Sequence, residues 1–470
     1  MRWKPAMRCT AMPDLEAVLA AADTARTVAR GASAEHRAGW LTAIADGLDA
    51  EADQLITIAG NETNLPEGRL RNELVRTSFQ ARLFARRLLE GTLLDARVDV
   101  ADADWPMGPR PDLRRTHVAI GPVLVFAASN FPFAFSVAGG DTVSALAVGC
   151  PVVVKAHEGH PELSRATARI VGEQLAVAGA PAGLFGLIEG KDAGIAAVQD
   201  PRIRAVGFTG SEAGGRALFD LAVSRPDPIP FYGELGSTNP VLVTAAGWRD
   251  RAAEIVTGFV GSFTLGSGQF CTQPGVVLVP DLAGFLAQLD LPALGPMLNP
   301  RIADGFAAAT AAVADRAGVE VAVLGPATLG APTAQLMTTT ATRVLADPAI
   351  VTTEMFGPAS VLVEYDDAAE AREVLGLFEG ILTATIQGGA DIDEQAAEAL
   401  AVLTERAGRI IWNEWPTGVT VSDAQQHGGP WPATTAPNST SVGTAAAARF
   451  ARPVAFQNMP AAGLPPELRS

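Results

Sequence analysis

Three cysteines, Cys9, Cys150 and Cys271, are all that the 470 residues contain. An odd number without CxxC spacing supports neither a disulfide framework nor a zinc site. Reduced thiols and a cytoplasmic setting are the default expectation. Basic residues are also in the minority: 35 Lys and Arg against 51 Asp and Glu leave a formal net charge of −16. A general nucleic-acid binder usually carries a basic patch, so nucleic acid is not an expected partner. A small anionic ligand stays open, because a local pocket can oppose the overall field. No stretch approaches the ~18 apolar residues of a membrane span. The leading segment MRWKPAMRCTAMPDLE is basic but has no apolar run behind it, which makes a poor signal peptide. The 5 histidines are scattered; His157 and His160 lie close together but lack a further ligand at zinc spacing, so no metal is expected. Internal repeats and the GxGxxG dinucleotide fingerprint are missing too.

What is present supports a large folded chain. Hydrophobic residues make up 48%, enough for the cores of two or three domains. Residues 14–95 carry apolar side chains at three- and four-residue spacing and read as helices. Residues 96–117 are rich in Pro and Asp with β-like pieces at each end, a hairpin or an excursion between domains. From 117 to 245, short apolar runs such as HVAIGPVLVF, PVVVK, GLFGLI, IRAVGFTG and NPVLV alternate with helix-like stretches. That alternation predicts an α/β fold with a parallel sheet covered on both faces, whose ligands bind at the carboxyl ends of the strands. A second α/β region runs from about 250 to 430, with Cys271 near its start.

Three local patterns have chemical content. In RAVGFTGSEAGGRALF a strand runs into Thr209, Gly210 and Ser211, and a helix follows. Ser211 suits an N-cap, and Gly210 and Gly215 could let a phosphate approach the helix N-terminus. An ordinary strand–helix turn would look the same. Glu234, in FYGELGSTNP, is either a surface carboxylate or a base projecting into a cleft. Cys271, in GSFTLGSGQFCTQPG, is either a buried structural cysteine or an accessible thiol whose small neighbours let a backbone N–H face a substrate.

Taken together and in order, these segments resemble the aldehyde dehydrogenase superfamily over nearly the whole chain. SNFPF is similar to the segment that carries the oxyanion Asn, here Asn130. VVVKAHE resembles the K-x-x-E segment and puts a cofactor lysine at Lys155 with Glu158 beside the adenosine ribose. GFTGSEAGG resembles the pyrophosphate loop. GELGSTNP carries the general base at Glu234, and GQFCT the nucleophile at Cys271. EMFGP resembles the segment whose Glu354 holds the nicotinamide ribose, with Phe356 beside it. Asn413 and Pro416 in WNEWPTGV match a further family segment. The tail HGGPWPATTAPNSTSVGTAAAARFARPVAFQN, with KAHEGHP, looks like that of 2,5-dioxovalerate (α-ketoglutaric semialdehyde) dehydrogenases and NADP-linked fatty-aldehyde enzymes. Ser237 and Thr238 stand where many relatives have Gly and Lys, and the span from Cys271 to Glu354 is shorter than usual.

The resemblance implies NAD- or NADP-dependent oxidation of a small-molecule aldehyde through a cysteine thiohemiacetal and thioester. It implies a Rossmann-type cofactor domain (1–96 and 119–235), an α/β catalytic domain (236–430) and a small bridging β element (97–118 and 431–470). It also implies a homodimer or homotetramer joined through that element. Cofactor choice is pulled two ways. Glu158 can accept the ribose hydroxyls and repel a 2′-phosphate, whereas Lys191 lies where NADP-using relatives often carry Arg; use of both with a modest NAD preference is expected. Two other readings keep the fold: a CoA-acylating enzyme, against which Glu234 speaks, and an idle scaffold, against which Asn130, Glu234, Cys271 and Glu354 together speak.

Overall fold

The computed structural model describes residues 14–469, so Cys9 and most of the leading basic segment lie outside the described residues. Four helices open the chain, Leu15–Gly31, Ala34–Ala50, Ala52–Thr63 and Glu67–Leu89. Their boundaries follow local chemistry. Ser33 caps the second helix by accepting from the His36 N–H, and Asn64, at φ 57°, ends the third in the left-handed conformation that Asn tolerates. Their apolar faces bring Leu41, Ile44, Leu48, Leu55, Leu70 and Phe84 into one core.

That core lies against a five-stranded sheet with the order Phe185–Ile188, Val152–Lys155, Val123–Phe126, Ala205–Thr209, Phe231–Glu234. Every pairing in it is parallel. Val152, Val153 and Val154 are fully buried, as expected of strands covered on both faces, which read as continuous apolar runs without alternation. A second core, with Leu19, Leu124, Val153 and Ile203, fills the other face.

The second half builds a seven-stranded sheet in the order Glu320–Leu324, Gln335–Thr340, Ala359–Glu364, Val276–Val279, Pro240–Val243, Ile381–Gln387, Ala407–Trp412. All its pairings are parallel except the first, where the exposed strand Glu320–Leu324 runs antiparallel with a register shift. Behind it the helix Ala245–Thr264 buries Phe259 and Phe263, stacked at 4.6 Å. Truncating Phe259, which also meets Phe285 and Trp415, would leave a cavity costing about 3–5 kcal/mol.

The third sheet is the excursion seen in the sequence. Arg97–Asp99 and Leu113–Ala119 pair antiparallel, and the tail strand Ala451–Gln457 adds to the other side of Leu113–Ala119. Its two outer strands have no further partner among the described residues. Val98, Trp105 and Met107 near this ribbon are exposed. No helix among the described residues is long and apolar enough to cross a membrane.

Candidate active site

A cleft of about 460 Å³ opens where the two large sheets face each other. One wall is made by the carboxyl ends of the first sheet's strands, which deliver Phe126, Lys155, Thr209 and Glu234; this is where ligands of open parallel sheets bind. Gly210 and Ser211 continue that wall. Ser211 caps the helix Glu212–Val223, accepting from the Gly214 N–H at 3.4 Å. The first-turn N–H groups and the positive end of the helix dipole therefore sit at the cleft edge, a setting suited to an anion. Gly215 lies one turn in and packs against Leu235 and Phe208, where a side chain would collide.

Asn130 follows the strand Val123–Phe126 into the cleft, and the second half of the chain supplies Cys271, Glu354 and Phe356. Cys271 reaches the cleft through an unusual turn. Gly266, Ser267 and Gly268 all hold positive φ, at 57°, 54° and 68°. At Gly268 a Cβ would collide with the backbone of Gly357, so glycine is needed for both conformation and space. Asn239 then fixes the loop: its Nδ2 donates to the carbonyls of Cys271 (2.8 Å) and Gln273 (2.9 Å). Asn130 Nδ2 donates to the Gln269 carbonyl at 3.2 Å. An amide carries two donor hydrogens, so one remains for a substrate oxygen.

Around the sulfur lies a cluster that the sequence reading only half found. His427 Nε2 is 3.5 Å from Cys271 Sγ and 2.7 Å from Glu234 Oε1. The second is a close approach without an aligned hydrogen bond, since Oε1 has no bonded donor. The Ser441 hydroxyl donates to Glu234 Oε2 at 2.6 Å. Glu234 and His427 are 4% and 1% exposed, so this is a water-poor site where charges interact strongly. Burial works to raise the Glu234 carboxyl. The His427 ring beside it, then hydrogen bonding from Ser441 and Cys271, outweigh burial and hold Glu234 below the usual carboxylate value. For the Cys271 thiol, burial and then the Glu234 and Glu354 carboxylates all push upward, opposed only by Arg409. The thiol is thus neutral at rest, with a proton acceptor in contact. Glu234, Cys271 and His427 also offer ligand atoms within 4.8 Å of one another, a set that a cation could share. Cys150 is different: fully buried, donating to the Phe450 carbonyl, its thiol pushed up to about 12 by burial.

Glu354 accepts from the Ser237 N–H at 3.3 Å. Burial, opposed by that hydrogen bond and reinforced by Glu212, pushes its carboxyl up to about 7. A Cβ on Gly236 would strike the Glu354 carboxylate, so a glycine there clears the cradle. Lys155 ends its strand with Nζ 3.7 Å from Glu158 Oε1; burial draws its pKa down, Glu158 partly offsetting it.

The structure therefore gathers Asn130, Lys155, Gly210, Ser211, Glu234, Cys271, Glu354 and Phe356 around one cleft. Glu158 and Lys191 are exposed and do not line it, whereas His157 and Arg301 do. Asn413 and Pro416 lie outside the cleft lining and act as scaffold. Asn413, at φ 55°, bonds Gly388 and Gly389, and the Pro416 carbonyl accepts from Arg409. The residues missed by sequence reasoning are His427, Ser441, Asn239 and Arg301. For His427 there was one signal, its place in the HGGPWP tail.

Comparison with known proteins gives the family. A family model, the aldehyde dehydrogenase family, matches residues 5–285. Alpha-ketoglutaric semialdehyde dehydrogenase 2 of Azospirillum brasilense is 46% identical over 99% of this chain and 90% of its own length. Alpha-ketoglutaric semialdehyde dehydrogenase of Acinetobacter baylyi is 40% identical over 93% of this chain and 84% of its own. Among solved structures, a Thermus 1-pyrroline-5-carboxylate dehydrogenase with bound NAD superposes with a TM-score of 0.80 at 21% identity, covering 94% of this chain and 85% of that one. An NAD-dependent aldehyde dehydrogenase from Sinorhizobium meliloti gives 0.79 at 21%, covering 95% and 88%. With the family model over more than half the chain and two long curated relatives, this chain belongs to the aldehyde dehydrogenase family and is an NAD(P)-dependent aldehyde-oxidising enzyme.

Proposed function

We propose that the substrate is a short dicarboxylic semialdehyde, α-ketoglutaric semialdehyde foremost, and that Cys271, Glu234 and Asn130 carry out its oxidation. The observation that supports the assignment of roles is the contact set around Cys271. A thiol, a buried carboxylate with lowered proton affinity and an amide donor meet at one point of the cleft.

In this reading the Cys271 sulfur attacks the aldehyde carbon while its proton passes to the Glu234–His427 pair. The oxyanion that forms is met by the free hydrogen of the Asn130 amide and the Cys271 N–H; one such donor is worth about 3–4 kcal/mol. A nicotinamide dinucleotide, when bound, would supply the two-electron hydride acceptor that oxidation of an aldehyde to the acid level requires. Lys155, Glu354 and the Ser211-capped helix would hold it, and the cradle fits: a free helix N-terminus, a raised carboxyl and a glycine that leaves it room. Once the first proton has left to solvent, Glu234 takes a proton from water, whose oxygen adds to the thioester carbon; the Cys271 sulfur leaves as thiolate, takes that proton back from Glu234, and the acid is released. General base catalysis of this kind contributes typically ~10²–10⁴-fold.

The finer assignments belong to the same proposal. These are the division into a cofactor part (1–96 and 119–235), a catalytic part (236–430) and a bridging part (97–118 and 431–470), a homodimer or homotetramer, and a cytoplasmic location. The unpaired outer strands and exposed apolar side chains of the three-stranded ribbon support the oligomer. Both NAD and NADP use is proposed. A steady-state panel of α-ketoglutaric semialdehyde, succinic semialdehyde, glycolaldehyde and medium-chain aldehydes tests the substrate; a preference for the medium-chain aldehydes would refute it.

A further inference from the structure

Behind Cys271, on the side away from the cofactor cleft, lies a second cavity of about 250 Å³. It is smaller than the roughly 300–1,000 Å³ of sites for drug-sized ligands, so it suits a metabolite of a few carbons and not a long acyl chain. Its aromatic walls, Phe131, Phe135 and Phe270, are those expected around a substrate. Its other lining is not. The helix Glu67–Leu89 turns Arg69 and Arg76 into this space beside Cys271 and His427.

Neither arginine has a carboxylate within 4.0 Å among the described residues, and neither uses its full fork. Arg69 Nη2 donates to the Asn130 carbonyl at 2.7 Å, leaving a buried Nη1 without a partner. Its guanidinium lies 4.7 Å from the Phe270 ring centroid and 5.3 Å from that of Phe131. Arg76 makes one long bond, Nη2 to the Val419 carbonyl at 3.4 Å, and its Nη1 is also buried and unpartnered. Glu73, on the same helix, spends Oε1 on the N–H groups of Phe133 and Ala134 at 2.8 and 2.9 Å, and its buried Oε2 meets no donor, the two arginines included. Burial pushes its carboxyl up, toward the neutral form. Two buried cations with idle donors, and a local acid used for backbone, leave a pocket short of one negative charge. Keeping a guanidinium in that state costs folding free energy unless a ligand completes it.

We infer that Arg76, flanked by Arg69, binds the distal carboxylate of the aldehyde substrate and makes this enzyme selective for ω-carboxylated aldehydes of short chain. The inference rests on the aldehyde-oxidising reading of Cys271. Arg76 is the specificity residue because it makes the fewest bonds of its own, and the planar fork of arginine matches a carboxylate bidentately. Arg69 has a second duty, holding the backbone of Asn130, so its substitution would disturb the oxyanion site as well.

The test is a selectivity ratio, kcat/KM for α-ketoglutaric or glutaric semialdehyde over kcat/KM for pentanal, with glutarate as a competitive inhibitor. Wild type should favour the carboxylated aldehydes. In Arg76→Gln the ratio should fall roughly a hundredfold and glutarate should lose its inhibition in parallel. Arg76→Lys, which keeps the charge but not the fork, should fall between the two. A ratio within about threefold of wild type in Arg76→Gln overturns the inference. So does an equal loss on both substrates with glutarate inhibition intact, because that is the signature of a structural role. Wild type that prefers pentanal also overturns it while leaving aldehyde oxidation standing; wild type that oxidises no aldehyde refutes the underlying reading instead.

Discussion

Replacing Glu354 by Gln should make the free enzyme more stable in alkaline solution while weakening its hold on the cofactor. The carboxyl is pushed up from an ordinary 4.5 to about 7, so the folded chain binds that proton more tightly than the unfolded chain does. Stability from this group is fullest in acid and is lost as pH rises from the unfolded value through the folded one, with no further change above. Integrating between pH 5.5 and pH 8, with about 1.4 kcal/mol for each tenfold in proton affinity, gives a loss of about 2 kcal/mol. That is an upper figure, because the cleft is open to water. Gln titrates nowhere in this range, so the melting temperature of Glu354→Gln minus that of wild type should grow steadily from pH 5.5 to 8. Cofactor reverses the order. A carboxylate accepting a ribose hydroxyl is worth about 1.5–3 kcal/mol, so the dissociation constant should weaken roughly 10- to 100-fold and saturating NAD should raise the melting point of wild type more. Melting curves of the two proteins at four pH values, with and without NAD, measure both effects. Curves that run parallel across the range, or equal stabilisation by NAD, would refute the reasoning.

Cys271→Ala should abolish aldehyde oxidation while reduced-cofactor fluorescence titration still shows binding; retained turnover would remove the covalent step. Glu234→Gln should give a burst of about one reduced cofactor per site followed by a slow steady state, read by stopped-flow absorbance, and an unchanged steady rate would take Glu234 out of the base role. His427→Gln should slow alkylation of Cys271 by iodoacetamide severalfold between pH 6 and 8, because the thiol loses its polar neighbour in a buried site. Zn²⁺ should inhibit reversibly by bridging Glu234, Cys271 and His427, with activity returned by chelation. For cofactor choice, Glu158→Thr should move the NAD-to-NADP ratio of kcat/KM toward NADP, and Lys191→Ala should move it toward NAD. Arg301→Ala should move it toward NAD further than Lys191→Ala does, since Arg301 lines the cleft and Lys191 does not; a ratio steady within about twofold in all three would place the 2′-position elsewhere.

Much of this site was legible because it is built at strand ends. Lys155, Thr209, Gly210 and Glu234 each follow directly on a short Val- or Phe-rich run, and a parallel sheet sends all such ends to one edge. Ser211 could be read as a cap from its place between a strand and a helix, and it is one. Cys271 and Glu354 could be placed only by resemblance, because a loop cysteine and a loop glutamate have no periodicity to argue from. The residues assigned to the 2′-position, Glu158 and Lys191, were placed by resemblance for a related reason. Glu158 lies three residues beyond Lys155, yet the chain turns between them, and its side chain reaches back to the lysine from outside the cleft.

What was not legible is the long-range part, and it is the part that sets the chemistry. Thr434 bridges to Glu234 and the Leu235 N–H bonds the Ala433 carbonyl, so the tail touches the end of the first sheet through one antiparallel bridge. That one pairing, about 200 residues apart in sequence, brings His427 and Ser441 onto Glu234. Without them only the Cys271 hydrogen bond would oppose burial, and the proton affinity of the carboxylate would rise. The helix Glu67–Leu89 makes the same point from the other end of the chain. Its arginines divide by position: Arg71 and Arg82 pair with surface acids, whereas Arg69 and Arg76 turn inward to the cavity beside Cys271. Helical spacing alone tells which residues share a face; only the packing of that helix against the loops bearing Asn130 and Cys271 tells which face meets the substrate.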